Sequence, residues 1–246
     1  MKTLTTKDNL QILYEDNHLI VINKRVGDIA QGDNSGDKPL PDVVKEYLKE
    51  KYNKPGEVFL GVVHRLDRPT SGIILFAKTS KSLTRMNDLF SARETRKTYW
   101  AVVKNKPEKE EDVLAHFIKR NQQNNTSKAH VKEVPGSKKA SLAYQLIATL
   151  DNYFVLEIEL HTGRHHQIRA QLQAIGCPIK GDLKYGFDRS NPDGGIHLHA
   201  RKLAFIHPVS KEQILLLAPV PEDAIWNSIK KKLNFENQLK SLRIDS

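Results

Sequence analysis

The sequence predicts a globular domain that combines β-hairpins with amphipathic helices, which is a mixed α and β fold class. Paired strand-like runs flank short turns, as Leu142–Thr149 and Tyr153–His161 do around Asp151-Asn152. Other segments repeat apolar residues at helical spacing, for example the one that follows Ser80. Hydrophobic residues form 39% of the chain and charged residues 28%, as in globular proteins. These patterns do not select one architecture.

The net charge of the chain indicates a polyanionic partner. The 246 residues carry a formal charge of +10 at pH 7, and the sequence pI is near 9.5. A basic protein of this size can bury a substantial core and still present excess positive charge to nucleic acid. A basic protein without such a partner remains the alternative.

The cysteine content and the hydropathy predict a cytoplasmic protein. Cys177 is the only cysteine, which excludes an intramolecular disulfide and a cysteine-based zinc site and suits a reducing compartment. The first 17 residues contain no apolar segment of the kind found in secretory signals. The longest apolar runs, such as Ile214–Val220, are too short to span a bilayer. We therefore expect no membrane association.

The N-terminal quarter predicts a tail, a strand pair and a helix. Residues 1–9 are polar and are expected to form a flexible tail. Ile12–Tyr14 and His18–Asn23 have the composition of short strands around a turn. The Gly/Asp/Asn-rich segment Gln31–Lys38 predicts a loop, and the residues from Leu40 to Leu48 place apolar side chains on one helical face.

The central part predicts three further strands and a helix. The apolar runs Val58–Val63 and Ile73–Ala77 are typical of buried strands. Ser80 is a candidate N-cap for the helix that follows, and Lys97–Val103 is rich in β-branched and aromatic residues. The long polar segment Asn105–Lys139 is predicted to be irregular, either a flexible arm that grips nucleic acid or a solvated linker.

The C-terminal part predicts a helix, a strand pair and a closing helix. Thr162 is a candidate N-cap for a helix whose apolar stripe ends at Gly176. A strand pair, a closing helix and a polar tail are then expected over His197–His207 with Gln213–Leu217, Glu222–Leu233 and residues 234–246. The histidines near positions 161–166 and 197–207 lack the carboxylate or cysteine partners of a zinc signature, so we expect no metal site.

The run His64-Arg65-Leu66-Asp67-Arg68-Pro69-Thr70-Ser71-Gly72 is the strongest candidate for chemistry. Asp67 has an arginine on each side, which favours its charged form, so we expect it to be ionised at neutral pH. Pro69 and Gly72 predict a shaped loop between two buried strands, and such loops commonly present a nucleophile or a general base. A surface ion cluster on a turn is the alternative.

This run resembles the signature of the RluA-type pseudouridine synthases, a family that modifies ribosomal and transfer RNA. Three further motifs resemble the family in the same order, namely Lys97-Thr98-Tyr99, Thr162–Arg169 and Gly181–Gly186. His165 occupies a variable position of the second of these motifs. Lys24-Arg25 departs from the Lys-Pro that relatives usually carry, which changes a local loop.

The resemblance implies an α+β pseudouridine synthase catalytic domain over residues 10–233, with a largely antiparallel mixed sheet, flanking helices and an active-site cleft. It implies the short form of the family, without the N-terminal S4 RNA-binding domain. The catalytic residues implied are Asp67, Arg169, which pairs with it, and Tyr99. Substrate-binding roles are implied for seven more residues: His64, Arg65, Arg68, Thr70, Arg164, His166 and Gln167.

The activity implied is isomerisation of specific uridines in structured rRNA or tRNA to pseudouridine, with no cofactor and no metal. Asp67 could attack the sugar, attack the base or remove a sugar proton, and the sequence does not select among these. We expect a monomer. The alternatives are a non-catalytic RNA-binding protein on the same fold and a carboxylate-based glycosidase or nucleoside hydrolase, although the latter needs a second acid for which no candidate stands out.

Overall fold

The structure, a computed structural model, describes residues 4–32 and 36–244, and for residues 235–244 it describes only the course of a helix. The strands within these ranges are β1 Ile12–Glu15, β2 Leu19–Lys24, β3 Gly61–Val62, β4 Ser71–Ala77, β5 Arg96–Val103, β6 Glu111–Asn121, β7 Thr126–His130, β8 Lys138–Thr149, β9 Phe154–Leu160, β10 Leu198–Ile206 and β11 Gln213–Leu217. The helices are α1 Leu40–Lys51, α2 Ser80–Ala92, α3 Gln167–Ala174 and α4 Ala224–Ile244.

The strands form one mixed sheet in the order β1-β2-β4-β10-β5-β9-β8-β6-β7, with β3 on β4 and β11 on β10. Every described pairing between these strands is antiparallel except that of β4 with β10, where Ser71 and Gly72 lie opposite His199 and Ala200. Gly72 has φ +111°, and a Cβ at this position would lie 2.4 Å from the Ala200 carbonyl oxygen. The one parallel pairing therefore requires glycine at the end of the motif loop. The predicted α+β class with a largely antiparallel mixed sheet is confirmed.

The core lies on both faces of the central strands. All residues of β2 and β4 are buried, as expected for strands covered on two sides. Strand β5 divides its side chains between two apolar clusters: Tyr99 belongs to the larger one, whereas Trp100 packs in a smaller one with Trp226 of α4. Because successive side chains of a strand point to opposite faces, β5 presents Tyr99 to one face while Trp100 binds the closing helix on the other.

The segment predicted to be irregular, Asn105–Lys139, is instead mostly strand. It contains β6 and β7, which pair from Phe117 opposite His130 to Asn121 opposite Thr126, and it ends in β8. Leu114 and Ile118 of β6 are buried, while polar residues alternate with them on the solvent side. The prediction of a loop was wrong because β6 buries only one of its two faces. The residues on its other face are polar, so the overall composition of the strand is polar.

Two helix starts differ from the prediction. Helix α2 is capped by Thr79 rather than Ser80, since the Thr79 hydroxyl oxygen accepts a hydrogen bond from the Ser82 amide at 3.1 Å. Helix α3 begins at Gln167, five residues after the predicted cap. Thr162 instead accepts a hydrogen bond from the Ser141 amide and donates one to the Gln167 side chain, so it fastens the preceding turn to β8.

The chain ends also differ in part from the expectation of tails. Thr5 is buried and bonds the Asp28 carboxylate through its amide and its hydroxyl, and Lys7–Asn9 forms a 3₁₀ turn. Helix α4 continues to Ile244, beyond the predicted end at Leu233. The first three residues of the predicted N-terminal tail, residues 33–35 of the predicted loop and the last two residues of the predicted C-terminal tail lie outside the described residues. Over the part of the chain that is described, no helix is both long and apolar enough to cross a membrane.

Candidate active site

A cleft of about 1090 Å³ lies across the sheet and contains the motif residues. Its walls come from the loop that joins β3 to β4, the end of α2, strand β5, the β6–β7 hairpin and the turn before α3. Asp67, Tyr99 and Arg169, which lie far apart in the sequence, all line this cleft. The fold thus assembles in one place the three residues for which the resemblance implies catalytic roles.

A buried lysine holds the loop that carries Asp67. Lys24 is 1% exposed, and its amino group donates to the carbonyl oxygens of Arg68 at 3.2 Å and Thr70 at 2.7 Å. The Thr70 amide donates to the Asp67 carbonyl at 3.0 Å, which closes a turn. The Asp67 side chain, 31% exposed, is thereby presented to the cleft from a fixed backbone. Lys24 was not among the predicted site residues, and its only sequence signal was its match to the lysine of the Lys-Pro that relatives usually carry.

Arg169 connects Asp67 to a second carboxylate, that of Asp182. Its Nη1 donates to Asp67 Oδ2 at 3.2 Å, while its Nε and Nη2 donate to the two oxygens of Asp182 at 2.7 and 2.8 Å. Burial alone would lower the pKa of Arg169, but the hydrogen bonds and charge of Asp182, with the charge of Asp67, raise it. Two-point bonding of a guanidinium fixes its orientation, so Asp182 determines where Arg169 meets Asp67.

Asp182 was not among the predicted site residues. It is 1% exposed and lies in the Gly181–Gly186 segment that resembles a family motif. That resemblance was the available signal, but nothing in the segment indicated which residue would be buried against Arg169.

His166 lies beside this ion pair and is held neutral. Its backbone is left-handed, with φ +51°, which turns the chain into α3. The ring Nε2 is 3.1 Å from Arg169 Nη1 and Nδ1 is 2.9 Å from the Tyr185 hydroxyl. Because an arginine only donates, hydrogen-bonding logic assigns the ring proton to Nδ1. Burial lowers the pKa of His166 to about 3, with Asp67 opposing and Arg169 adding to the shift.

Tyr185 joins the start of α3 to the β6–β7 hairpin. Its hydroxyl oxygen accepts a hydrogen bond from the Ser127 amide at 2.7 Å, and its ring lies 4.8 Å from the Arg169 guanidinium carbon. The Ser127 hydroxyl is 2.9 Å from Nδ1 of His165, whose ring stacks on that of His166. Tyr185 was not among the predicted site residues.

Tyr99 lies in the cleft with a hydroxyl that has no hydrogen-bond partner among the described residues. Its side chain is buried, and burial together with the charge of Asp67 raises its pKa above the usual value. The phenol therefore stays protonated at neutral pH and keeps both donor and acceptor capacity for a ligand.

The predicted substrate-binding residues of the motif loop have different surroundings. His64 is neutral: burial and Lys97 lower its pKa to about 3, its Nε2 accepts from the Leu75 amide and its ring stacks on Phe90. Thr70 is buried, and its hydroxyl has no partner among the described residues. Arg65 is exposed at the cleft, where it donates to Gln31 at 2.7 Å, and Arg68 forms an ion pair with Asp37.

The remaining two predicted substrate-binding residues lie in the turn before α3 and at the first position of that helix. Arg164 lines the cleft, and its Nε donates to the Lys139 carbonyl at 3.1 Å. Gln167 is buried, and its amide group bonds Thr162, the Arg164 amide and the Ser141 carbonyl. Gln167 therefore orders the turn, with its hydrogen-bonding groups already in use.

The charges that line the cleft favour an anionic ligand. Of the described lining residues, Asp67 is the one acid, against seven arginines and lysines: Arg65, Arg68, Lys97, Arg120, Arg164, Arg169 and Lys184. Over the described ranges, no group of three or more histidine, cysteine or acidic side chains is placed to hold a metal ion. A basic cleft with one carboxylate in its lining suits a polyanion on which an acid or base must act.

The chain is similar in sequence to one family of known proteins. The family described as RNA pseudouridylate synthase matches residues 18–174. The chain is 34% identical over 222 residues to the ribosomal large subunit pseudouridine synthase C of Rickettsia bellii, covering 89% of this chain and 70% of that one. It is 32% identical over 216 residues to an uncharacterized RNA pseudouridine synthase of Synechocystis, covering 86% of this chain and 66% of that protein. The matches thus span about two thirds of these relatives.

Solved structures support the fold. The human RNA pseudouridylate synthase domain containing 4 protein superposes with a TM-score of 0.74 over 91% of this chain and 93% of that one, at 24% identity. The human domain containing 1 protein gives a TM-score of 0.71 over 90% of this chain and 87% of that one. Both share the mixed sheet architecture at low sequence identity. The chain belongs to the RNA pseudouridylate synthase family, a class of isomerases.

Proposed function

We propose that this protein converts specific uridines of structured RNA to pseudouridine, with Asp67 as the residue that starts the reaction. The observation that carries the proposal is the pair of Asp67 and Arg169, 3.2 Å apart at the floor of a basic cleft although 102 residues separate them in sequence. A carboxylate aimed by a buried arginine is what either a nucleophile or a general base requires.

The reaction exchanges one bond of uracil for another. The bond between N1 and the ribose C1′ breaks, the base turns within the cleft, C5 bonds to C1′, and the proton on C5 leaves while N1 gains one. Oδ2 of Asp67 accepts from Arg169, whereas Oδ1 has no partner among the described residues. We assign Oδ1 to the substrate, whether it attacks the sugar, attacks the ring or removes a sugar proton. The atoms balance within the substrate, so no cofactor is needed.

Tyr99 is proposed to stack on the flipped uracil and to take part in moving the C5 proton. Its position in the cleft, its protonated phenol and its unpartnered hydroxyl support both roles.

The duplex or stem that contains the target must open, because a stacked base cannot reach Asp67. Arg65, exposed at the cleft mouth, is proposed to fill the space that the nucleotide leaves.

The substrate is proposed to be large-subunit rRNA, with tRNA as the second candidate. Relatives named for the ribosomal large subunit and the cationic lining of the cleft support RNA, and the phosphates would contact the free ends of Arg164 and Lys184. We propose that the protein acts in the cytoplasm as a monomer and without a metal ion.

The test is release of tritium from RNA labelled at uracil C5. Wild-type protein is incubated with unmodified large-subunit rRNA and with tRNA transcripts, beside Asp67→Asn and the surface control Asp188→Asn. We expect release from one RNA by wild type and the control. Asp67→Asn should release none, yet keep its fold and RNA affinity, because the amide preserves size and removes the charge.

Normal turnover by Asp67→Asn would refute the assignment of Asp67. Tight binding of both RNAs without any release would instead favour the non-catalytic RNA-binding alternative. Turnover of free nucleoside would favour the hydrolase.

A further inference from the structure

A second cavity, of about 580 Å³, adjoins the catalytic cleft beside the start of β5. It lies between the end of α2 and the turn that precedes α3, and it shares Phe90, Lys97 and Arg164 with the cleft. The two cavities are therefore neighbours, and Lys97 lies between them.

Lys97 is a partly buried cation without an ion-pair partner among the described residues. Its amino nitrogen lies 5.2 Å from the centre of the Phe90 ring, and burial lowers its pKa. Lys97 and Tyr99 are two residues apart on β5, so their side chains share one face, about 7 Å apart along the strand. A partly desolvated ammonium without a counterion is unfavourable unless an anion binds there.

The second cavity also has a polar group that nothing in the described protein satisfies. Thr95 is 8% exposed, lines the cavity and has a buried hydroxyl oxygen without a hydrogen-bond partner in the described ranges. Every second residue from position 95 to position 99 lines one of these cavities. Thr95 lines the second cavity, Lys97 lines both, and Tyr99 lines the cleft. Phe90 adds an apolar wall to the same space.

We propose that the second cavity binds the nucleotide next to the target uridine, with Lys97 holding the phosphate that links the two. This inference rests on the proposed function, because it assumes that Tyr99 marks the place of the uracil. A phosphate supplies the missing counterion of Lys97, and Phe90 offers an apolar surface to the base. The Thr95 hydroxyl both donates and accepts, so it can bond any of the four bases.

The test measures how binding of RNA depends on salt. The probe is a 5′-fluorescein-labelled oligouridylate of 12 nucleotides, and the variants are Lys97→Met and the control Lys104→Met. Lys104 is on the same polypeptide segment just after β5 but is exposed and already paired with Asp188. Losing one phosphate contact to single-stranded RNA lowers the slope of log K against log salt by about 0.7.

We expect that loss for Lys97→Met and an unchanged slope for Lys104→Met, with both variants folded as judged by thermal melting. Thr95→Val, which keeps the side-chain volume, should weaken binding of the same probe about three- to tenfold through one lost hydrogen bond. An unchanged slope for Lys97→Met, or a wild-type protein that binds no oligouridylate, would overturn the inference.

The tritium assay separates this inference from the proposed function. Lys97→Met should raise KM and leave kcat nearly unchanged, whereas Asp67→Asn should lose kcat. If wild type released no tritium, the proposed function would fail while the salt slope still decided whether Lys97 binds a phosphate. If wild type were active and Lys97→Met had a normal KM, the second cavity would not be a nucleotide site.

Discussion

Arg169 serves two carboxylates at once, and this explains both its burial and its orientation. Asp182 takes two of its donor groups and Asp67 takes a third, while the ring of Tyr185 covers the guanidinium plane. The partly exposed carboxylate of Asp67 faces the cleft, and the buried carboxylate of Asp182 sets the angle of the arginine. On the proposed function, stability and catalysis would therefore both depend on this side chain, through different partners.

Arg169→Met should cost about 3–5 kcal/mol of unfolding free energy, because it leaves the buried Asp182 carboxylate unpaired. The double variant Arg169→Met/Asp182→Asn should recover most of that loss, because no charge then remains buried. Neither variant should release tritium from RNA. Urea unfolding and the tritium assay measure the two effects, and a double variant that regained activity would show that Arg169 does not orient Asp67.

Tyr185→Phe should lower kcat about 10- to 100-fold and keep KM within about twofold of wild type. Without the hydroxyl, Arg169 and Asp67 should shift slightly, and a small displacement of reacting groups has effects of this size. The substitution removes the hydroxyl that bonds His166 and the Ser127 amide but keeps the ring on Arg169. Tyr144→Phe is the control, because its hydroxyl bonds the Lys109 carbonyl outside the cleft lining. Equal losses of kcat in both variants would contradict a positioning role.

The β6–β7 hairpin is the element whose structure departs most from the prediction. It forms one end of the sheet and is fastened over the start of α3 by the bonds of Ser127 to Tyr185 and His165. Arg120 and Asn125 of the hairpin line the cleft. The interpretation of this segment as an arm that contacts RNA stays a prediction, and its residues form a paired hairpin rather than a flexible loop.

Arg120→Ala should raise KM for RNA about tenfold and leave kcat unchanged, as expected for the loss of one charged contact that does not touch the reacting atoms. The control is Lys119→Ala, because Lys119 precedes Arg120 on the strand and points to the opposite face. Steady-state tritium release over a range of RNA concentrations gives both constants. A fall in kcat for Arg120→Ala would place the residue in the chemistry instead.

At the scale of the whole molecule, several buried groups make stability fall in acid. Burial lowers the pKa of His64 and His166 to about 3 and that of His199 to about 4. As the pH falls, the unfolded chain protonates these histidines near pH 6.5, whereas the folded protein does so only near pH 3 to 4. The free energy of unfolding is therefore highest above about pH 6.5 and declines below it. Glu15 acts in the same direction at lower pH: burial opposes the shift, but Lys51, Tyr52 and Lys78 lower its pKa to about 2.

Urea unfolding should therefore show a free energy that decreases from pH 6 to pH 4.5. His199→Asn should reduce this slope by about 1.4 kcal/mol per pH unit, the contribution of one titrating group. His199 joins β4 to β10 through the Ser71 hydroxyl and contacts the Ala218 carbonyl, so the variant should also be less stable at pH 7. An unchanged pH slope would show that His199 does not titrate on unfolding.

The sequence by itself determined the family, the type of fold and the residues at the floor of the cleft. Asp67, Tyr99 and Arg169 stand in short motifs, and contiguous residues can be recognised without knowing what lies around them. The buried strands were also predictable, because Leu19–Ile22 and Ile73–Ala77 are apolar throughout. Local patterns of this kind depend only on neighbouring residues.

The tertiary structure decided which polar groups act together. The residues around Asp182, Lys24 and Tyr185 in the sequence do not show what each is buried against, because the partners Arg169, Thr70 and Ser127 lie 13, 46 and 58 residues away along the chain. The start of α3 was misplaced for the same reason: Thr162 is a good cap locally, but it bonds Ser141 of β8. The partner that a buried polar side chain bonds depends on which residues are buried beside it. These neighbours come together only when the chain folds.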